Sequence, residues 1–240
     1  MNKSAIVAGL TNNREVPFNS SPEVSRGGIT LEALSTDDES LFKQDLIQNK
    51  QRYSNFNFLM IDARDYPKAW YFGSADVVHP MGELVESASF SLANGTIHSK
   101  WPKMCLGLDL VMEAAFKSSG EKQFIEMMFD VLTNTDQHLT SIPSNTTLSE
   151  ESEIVASSIF IPFCEIEYKA PSRHLKGCHG VYGTVSSLIM LVDDVGVTCY
   201  EVSWRNFQFP DGKRSNYECK EAVVEHINRN LVKNYISFGD

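Results

Sequence analysis

The residues best suited to chemistry lie in one short segment, His174-Leu175-Lys176-Gly177-Cys178-His179. Two imidazoles and a thiol within six residues offer donors for a transition metal or a haem iron. A closed zinc site wants four ligands, and no second Cys/His pair stands nearby in sequence. His174, Cys178 and His179 are therefore candidate metal or haem ligands, set against the ordinary occurrence of such residues in a Gly- and Pro-rich loop. Acidic runs at Asp37-Asp38-Glu39 and at Glu150-Glu151-Ser152-Glu153 have the composition of a hard-cation site, but helix starts and solvated loops favour the same residues. Glu165 and Glu167 alternate as on one strand face, which suits an acid–base pair and, more often, a solvated surface. No nucleophile-elbow, zinc-protease or phosphate-loop motif occurs, and no residue is assigned a catalytic role.

Bulk properties narrow the partners. Of the 240 residues 42% are hydrophobic and 22% charged, an ordinary globular composition. The net charge of -10 disfavours phosphate backbones and anionic membrane surfaces, so neither nucleic acid nor a charged bilayer is expected as a partner. No run reaches the roughly 18 apolar residues of a membrane span. The five cysteines are odd in number and form no CxxC, which fits reduced thiols and an intracellular setting.

The elements that must hold these residues follow from periodicity. Ala5 to Leu10 reads as a buried strand and residues 11 to 28 as a loop. Asp38-Glu39 opens a helix with Leu41, Phe42, Leu46 and Ile47 on one stripe. Asn57 to Ile61 and Ala69 to Phe72 make a hairpin, with Trp70, Tyr71 and Phe72 read as packing residues. Val85 to Leu92 suggests another strand. Residues 103 to 133 form a helical hairpin, and 134 to 153 read as a mobile polar loop. Ile159 to Ile161, Ser187 to Val192 and Val197 to Val202 are strand-like, the last two joined by a turn at Asp193-Asp194-Val195-Gly196. A helical stripe closes the chain from Cys219 to Tyr235. Strands flank a helical hairpin without alternating with helices, so the class is α+β with mostly antiparallel sheets.

Four segments together resemble the transport and Golgi organisation protein 2 family, also called the NRDE family. Ala8-Gly9-Leu10-Thr11-Asn12 precedes Ser25-Arg26-Gly27, like the family's strand ending in Thr-Asn and its Ser-Arg-Gly helix start. Tyr53-Ser54-Asn55-Phe56-Asn57-Phe58-Leu59 is similar to its Tyr-x-Gly-Phe-Asn-Leu strand entry. Ser91-Leu92-Ala93-Asn94 and Trp101-Pro102-Lys103 match its Leu-Ser-Asn and Trp-x-Lys. Tyr182-Gly183-Thr184 matches its Tyr-Gly-Thr, and Val185 stands where the family usually carries Arg. The resemblance is strongest over residues 5–205, within a single domain over 1–240 whose tail, 206–240, diverges.

The resemblance implies an incomplete N-terminal-nucleophile-hydrolase-like αββα sandwich. It implies roles in Golgi organisation, protein secretion and haem trafficking, in the cytoplasm with Golgi or mitochondrial association. Haem or another hydrophobic ligand would be cargo, with no resident cofactor, and a protein partner would meet an exposed sheet edge. The ligand-contact candidates it supplies are Asn12, Asn57, Asn94, Trp101, Lys103 and Thr184. The family opens with Met-Cys and then Asn-Arg-Asp-Glu; neither is present here, and the chain reads as a short member that begins well inside the family pattern. Residue 2 is Asn, which is no nucleophile. Cys105, at a predicted helix start between Met104 and Leu106, reads as a buried thiol. Two functions result: a non-enzymatic trafficking protein, or a cysteine amide hydrolase relative that is inactive or truncated.

Overall fold

The computed structural model of the chain describes residues 6–14, 22–63, 69–87, 89–139, 148–169, 179–193, 195–205 and 216–237. It divides into two compact units, one up to Met104 and one from Cys105 onward. Both are built as expected from helices and antiparallel sheets.

The first unit contains β1 (Ile6–Asn12), α1 (Gly27–Ser35), α2 (Glu39–Gln48), β2 (Phe56–Asp62), β3 (Ala69–Gly73) and β4 (Glu83–Val85). The strands pair antiparallel in the order β1-β2-β3-β4. Because side chains alternate along a strand, Phe56, Phe58 and Met60 share one face of β2. They are buried with Phe72 against Ile29 and Ala33 of α1 and Phe42 and Leu46 of α2. Trp70 stacks flat on Phe72, with ring centroids 5.7 Å apart. Each such aromatic or aliphatic side chain removed from water contributes about 1.5–3 kcal/mol. Helix α2 starts where its sequence says it should: Asp38 Oδ1 accepts the Leu41 amide at 2.9 Å.

Two segments of this unit differ from the sequence expectation. Residues 11 to 28 are not all loop, since β1 continues to Asn12 and α1 begins at Gly27. The strand expected over Val85 to Leu92 is only Glu83–Val85. Beyond it Ser87 Oγ accepts the Ser89 amide and donates to the Ser89 carbonyl, a local bonding pattern that competes with a ladder.

The second unit contains most of α3 (Pro102–Lys117), then α4 (Glu121–Leu132), α5 (Glu150–Ala156), β5 (Cys164–Glu167), β6 (His179–Tyr182), β7 (Ser186–Val192), β8 (Gly196–Ser203), α6 (Asn216–Asn230) and β9 (Leu231–Ser237). Strands β7-β8-β9 form one antiparallel sheet and β5-β6 another. Ile189, Tyr200, Val202 and Trp204 pack with Ile125 and Phe129 of α4, Val223 of α6 and Phe160. Trp204 is fully buried, meets Phe160 edge-on at 5.1 Å, and donates Nε1–H to Ser187 Oγ at 2.9 Å. On the surface, the Tyr200 hydroxyl and the Lys233 ammonium both donate to Glu121 Oε1. These bonds, Tyr200's first, hold the Glu121 carboxyl below its ordinary range, and the bonds to Tyr200 and Glu121 raise the Lys233 ammonium.

Three further departures have local causes. The polar stretch read as loop over 134 to 153 ends in helix α5, whose first turn carries Glu150, Glu151 and Glu153. Ser149 Oγ caps it by accepting the Ser152 amide, and acidic residues there complement the helix dipole. Ile159 to Ile161 is no strand; Phe160 is buried in the core and its amide bonds to Asn134 O. The closing helix ends at Asn230, and Leu231, which continues its apolar stripe, instead opens β9. Val232, Tyr235 and Ile236 favour a strand, and β8 offers a ladder to extend.

Candidate functional site

Asn57 stands at the centre of the first unit's polar chemistry. It lies on the face of β2 opposite the apolar one, directly across from Thr11 in the β1–β2 register, and it is fully buried. Its Nδ2 donates to Gly95 O at 2.7 Å, Thr11 Oγ1 at 3.0 Å and Ala93 O at 3.4 Å. Its Oδ1 accepts from the Tyr71 hydroxyl at 2.9 Å and Asn13 Nδ2 at 3.2 Å. Thr11 Oγ1 also donates to Ala93 O, and the Ile97 amide donates to the Tyr71 hydroxyl oxygen at 3.2 Å. Asn94 Nδ2 donates to Asn12 O at 3.0 Å, while the Arg14 amide donates back to Asn94 O at 2.6 Å. Three of the candidates, Asn12, Asn57 and Asn94, are thus brought together. They clamp the segment 93–97 onto the ends of β1, β2 and β3.

This arrangement positions backbone and leaves little for a ligand. An amide side chain has two N–H donors and one carbonyl oxygen, and all are engaged at Asn57. Arg26, from the matched Ser-Arg-Gly segment, donates to Asn55 O at 2.8 Å, and burial lowers the pKa of its guanidinium. Trp101 and Lys103 meet each other, with the Lys103 ammonium 6.0 Å from the indole centroid.

Thr184 belongs to the second unit. Its amide donates to Ile161 O at 2.7 Å and its Oγ1 accepts the Ile161 amide at 2.9 Å. The neighbouring Gly183 lies so close to Phe163 that a Cβ would stand 2.9 Å from the Phe163 Cα. The Tyr-Gly-Thr motif here is a backbone clamp. Val185, at the family's Arg position, is partly exposed. His174 and Cys178 lie outside the described residues; His179 pairs with Glu167 across β5 and β6. Glu165 and Glu167 are both exposed on β5, as a surface strand requires. Cys105 corrects the sequence reading: it lies on an exposed face of α3, not in the core.

A second constellation escaped the sequence analysis. Asp76, His79, Glu83 and His98 each place one imidazole nitrogen or carboxylate oxygen within 4.8 Å of the others. Asp76 Oδ1 accepts the amides of Val78 at 2.8 Å and His79 at 3.0 Å, which fixes the turn after β3. Gly82, at φ 77°, turns the chain back so that Glu83 returns beneath His79. His98 arrives on the segment that the Asn57 network holds, and its Nε2 lies 2.7 Å from Glu83 Oε1. The spacing Asp76-x2-His79-x3-Glu83 was the available signal, but its fourth member comes from a distant loop.

Comparison with known proteins places these matches in one family. The family described as Transport and Golgi organisation 2 matches residues 1–206. The chain is also similar to the human transport and Golgi organization protein 2 homolog, at 25% identity over 199 residues, covering 80% of this chain and 67% of the relative. No helix among the described residues is long and apolar enough to cross a membrane. With more than half its length matched, the chain belongs to the transport and Golgi organisation 2 family.

Proposed function

We propose that this chain is a non-enzymatic intracellular trafficking protein that serves Golgi organisation and secretion and carries haem or another hydrophobic ligand. The observation that supports this reading is the use of Asn57: the family-motif amide spends its hydrogen-bonding capacity on the protein's own backbone and side chains. An amide that stabilised a reacting oxyanion would need an N–H aimed into open space. Cytoplasmic residence with Golgi or mitochondrial association and a protein partner at a sheet edge belong to the same proposal.

Haem titration tests the cargo directly. Added haem is expected to give a saturable Soret band with the full chain. Loss of the band in the His174→Ala/Cys178→Ala/His179→Ala variant assigns the ligands; an unchanged band there removes those residues from the site. No band at all contradicts haem as cargo. The second reading is an amide hydrolase relative that is inactive or truncated, with the exposed Cys105 the one conceivable substitute for the missing nucleophile. Amide turnover that disappears in Cys105→Ala would contradict the non-enzymatic reading.

A further inference from the structure

We propose that Asp76, His79, Glu83 and His98 form a binding site for one divalent transition-metal ion of the zinc class. The donor set comes first. Two imidazoles and two carboxylates make an N2O2 set, and imidazole favours zinc-class ions over calcium or magnesium, which prefer all-oxygen shells. Two carboxylates also balance a divalent charge.

The spacing comes second. Tetrahedral zinc with bonds of about 2.0–2.1 Å separates its donor atoms by about 3.3 Å. Here Asp76 Oδ2 and Glu83 Oε1 each lie 3.7 Å from His79 Nδ1, and Glu83 Oε1 lies 2.7 Å from His98 Nε2. Small movements of side chains bring every donor to a common centre.

The third observation is independent of the cluster's composition. The Asp76 side chain is only 4% exposed, and its Oδ2 has no hydrogen-bond partner, nor has the buried His79 Nδ1 that it faces. Their 3.7 Å separation is too long for a hydrogen bond between them. A buried carboxylate oxygen and a buried imidazole nitrogen 3.7 Å apart, neither hydrogen-bonded, are what a cation between them would pair. His98, 55% exposed, forms the solvent side through which an ion enters.

Both halves of the site are held rigidly. Asp76, His79 and Glu83 sit on the β3–β4 turn fixed by Asp76 Oδ1 and Gly82. His98 sits on the 93–99 segment fixed through Gly95 O and the Ile97 amide. The bound ion would cross-link the turn to that segment.

The test is a zinc titration of the full chain stripped by chelator, with cobalt as a spectroscopic stand-in. One equivalent is expected, with visible cobalt bands of a four- or five-coordinate site and no thiolate charge-transfer band. Asp76→Asn retains the Oδ1 acceptor for Val78 and His79 but replaces the facing oxygen with an amide. It is expected to weaken zinc about tenfold or more, as is His98→Gln, whose exposed position leaves folding intact even if Asp76→Asn does not fold. Wild-type affinity in His98→Gln overturns the proposal, as does the absence of stoichiometric zinc. A cobalt thiolate band that vanishes in the His174→Ala/Cys178→Ala/His179→Ala variant places the metal elsewhere and also overturns it.

Discussion

Asn57→Leu is expected to cost about 4 kcal/mol of stability, near the upper end for a single substitution. The side chains are similar in size, so the cost arises from polarity. Leucine removes the donor to Gly95 O and the acceptor that the Tyr71 hydroxyl and Asn13 Nδ2 share, and weakens the hold on Thr11 Oγ1. Each unsatisfied buried group costs about 1–3 kcal/mol, offset in part where water enters. Tyr71→Phe removes fewer bonds and is expected to cost about 1–2 kcal/mol. Urea unfolding followed by two probes measures both. An Asn57→Leu midpoint close to that of the wild type would show that the network contributes little.

Gly82→Ala is expected to cost about 3 kcal/mol. At φ 77° an L-residue pays roughly 1–2 kcal/mol before any contact is counted. A Cβ would also stand 2.7 Å from Trp70 Nε1 and 2.8 Å from Tyr71 O, and the latter is strand backbone that cannot rotate aside. Relief requires the turn to move, which carries Glu83 away from His79 and His98. Gly28→Ala in helix α1 is the contrasting control: a Cβ there meets nothing within 4 Å, and alanine is expected to stabilise by up to about 1 kcal/mol. Thermal unfolding separates the pair. Equal melting temperatures for Gly82→Ala and the wild type would refute the steric argument.

What could be read from the sequence follows from where the information sits. The β2–β3 hairpin was visible because Asn57 to Ile61 and Ala69 to Phe72 are short apolar and aromatic runs bounded by turn residues. Helix α2 announced itself through Asp38, and the β7–β8 turn through Asp193, whose Oδ1 accepts the amides of Val195 and Gly196. Helix α1 opens on two glycines with no side-chain cap, so local signals were missing. Helix α5 hid in a polar stretch, its stability coming from Ala156 and Val155 packing with Ile161 and Ile166. Strand β9 continues a helical stripe, and its pairing partner lies 29 residues back at Val202 for Leu231, outside any local window but close in the ladder.

The sites show the same division. The family motifs pointed to Asn57 and Asn94, but motif and spacing alone leave open whether an amide contacts a ligand or the chain itself. Burial and the identity of its partners decide that. The cluster at Asp76 needed His98, which only the folded 93–99 segment delivers. The ligands suggested at His174 and Cys178 fall outside the described residues.

The proposed role is trafficking and not turnover. In cells lacking their own family member, expression of this chain is expected to restore the secretion rate of a reporter cargo and compact Golgi morphology. Cys105→Ala is expected to restore both equally well, since the proposed role uses no thiol chemistry. A chain that folds and reaches normal abundance yet restores neither, or whose rescue is abolished by Cys105→Ala, would rule that role out.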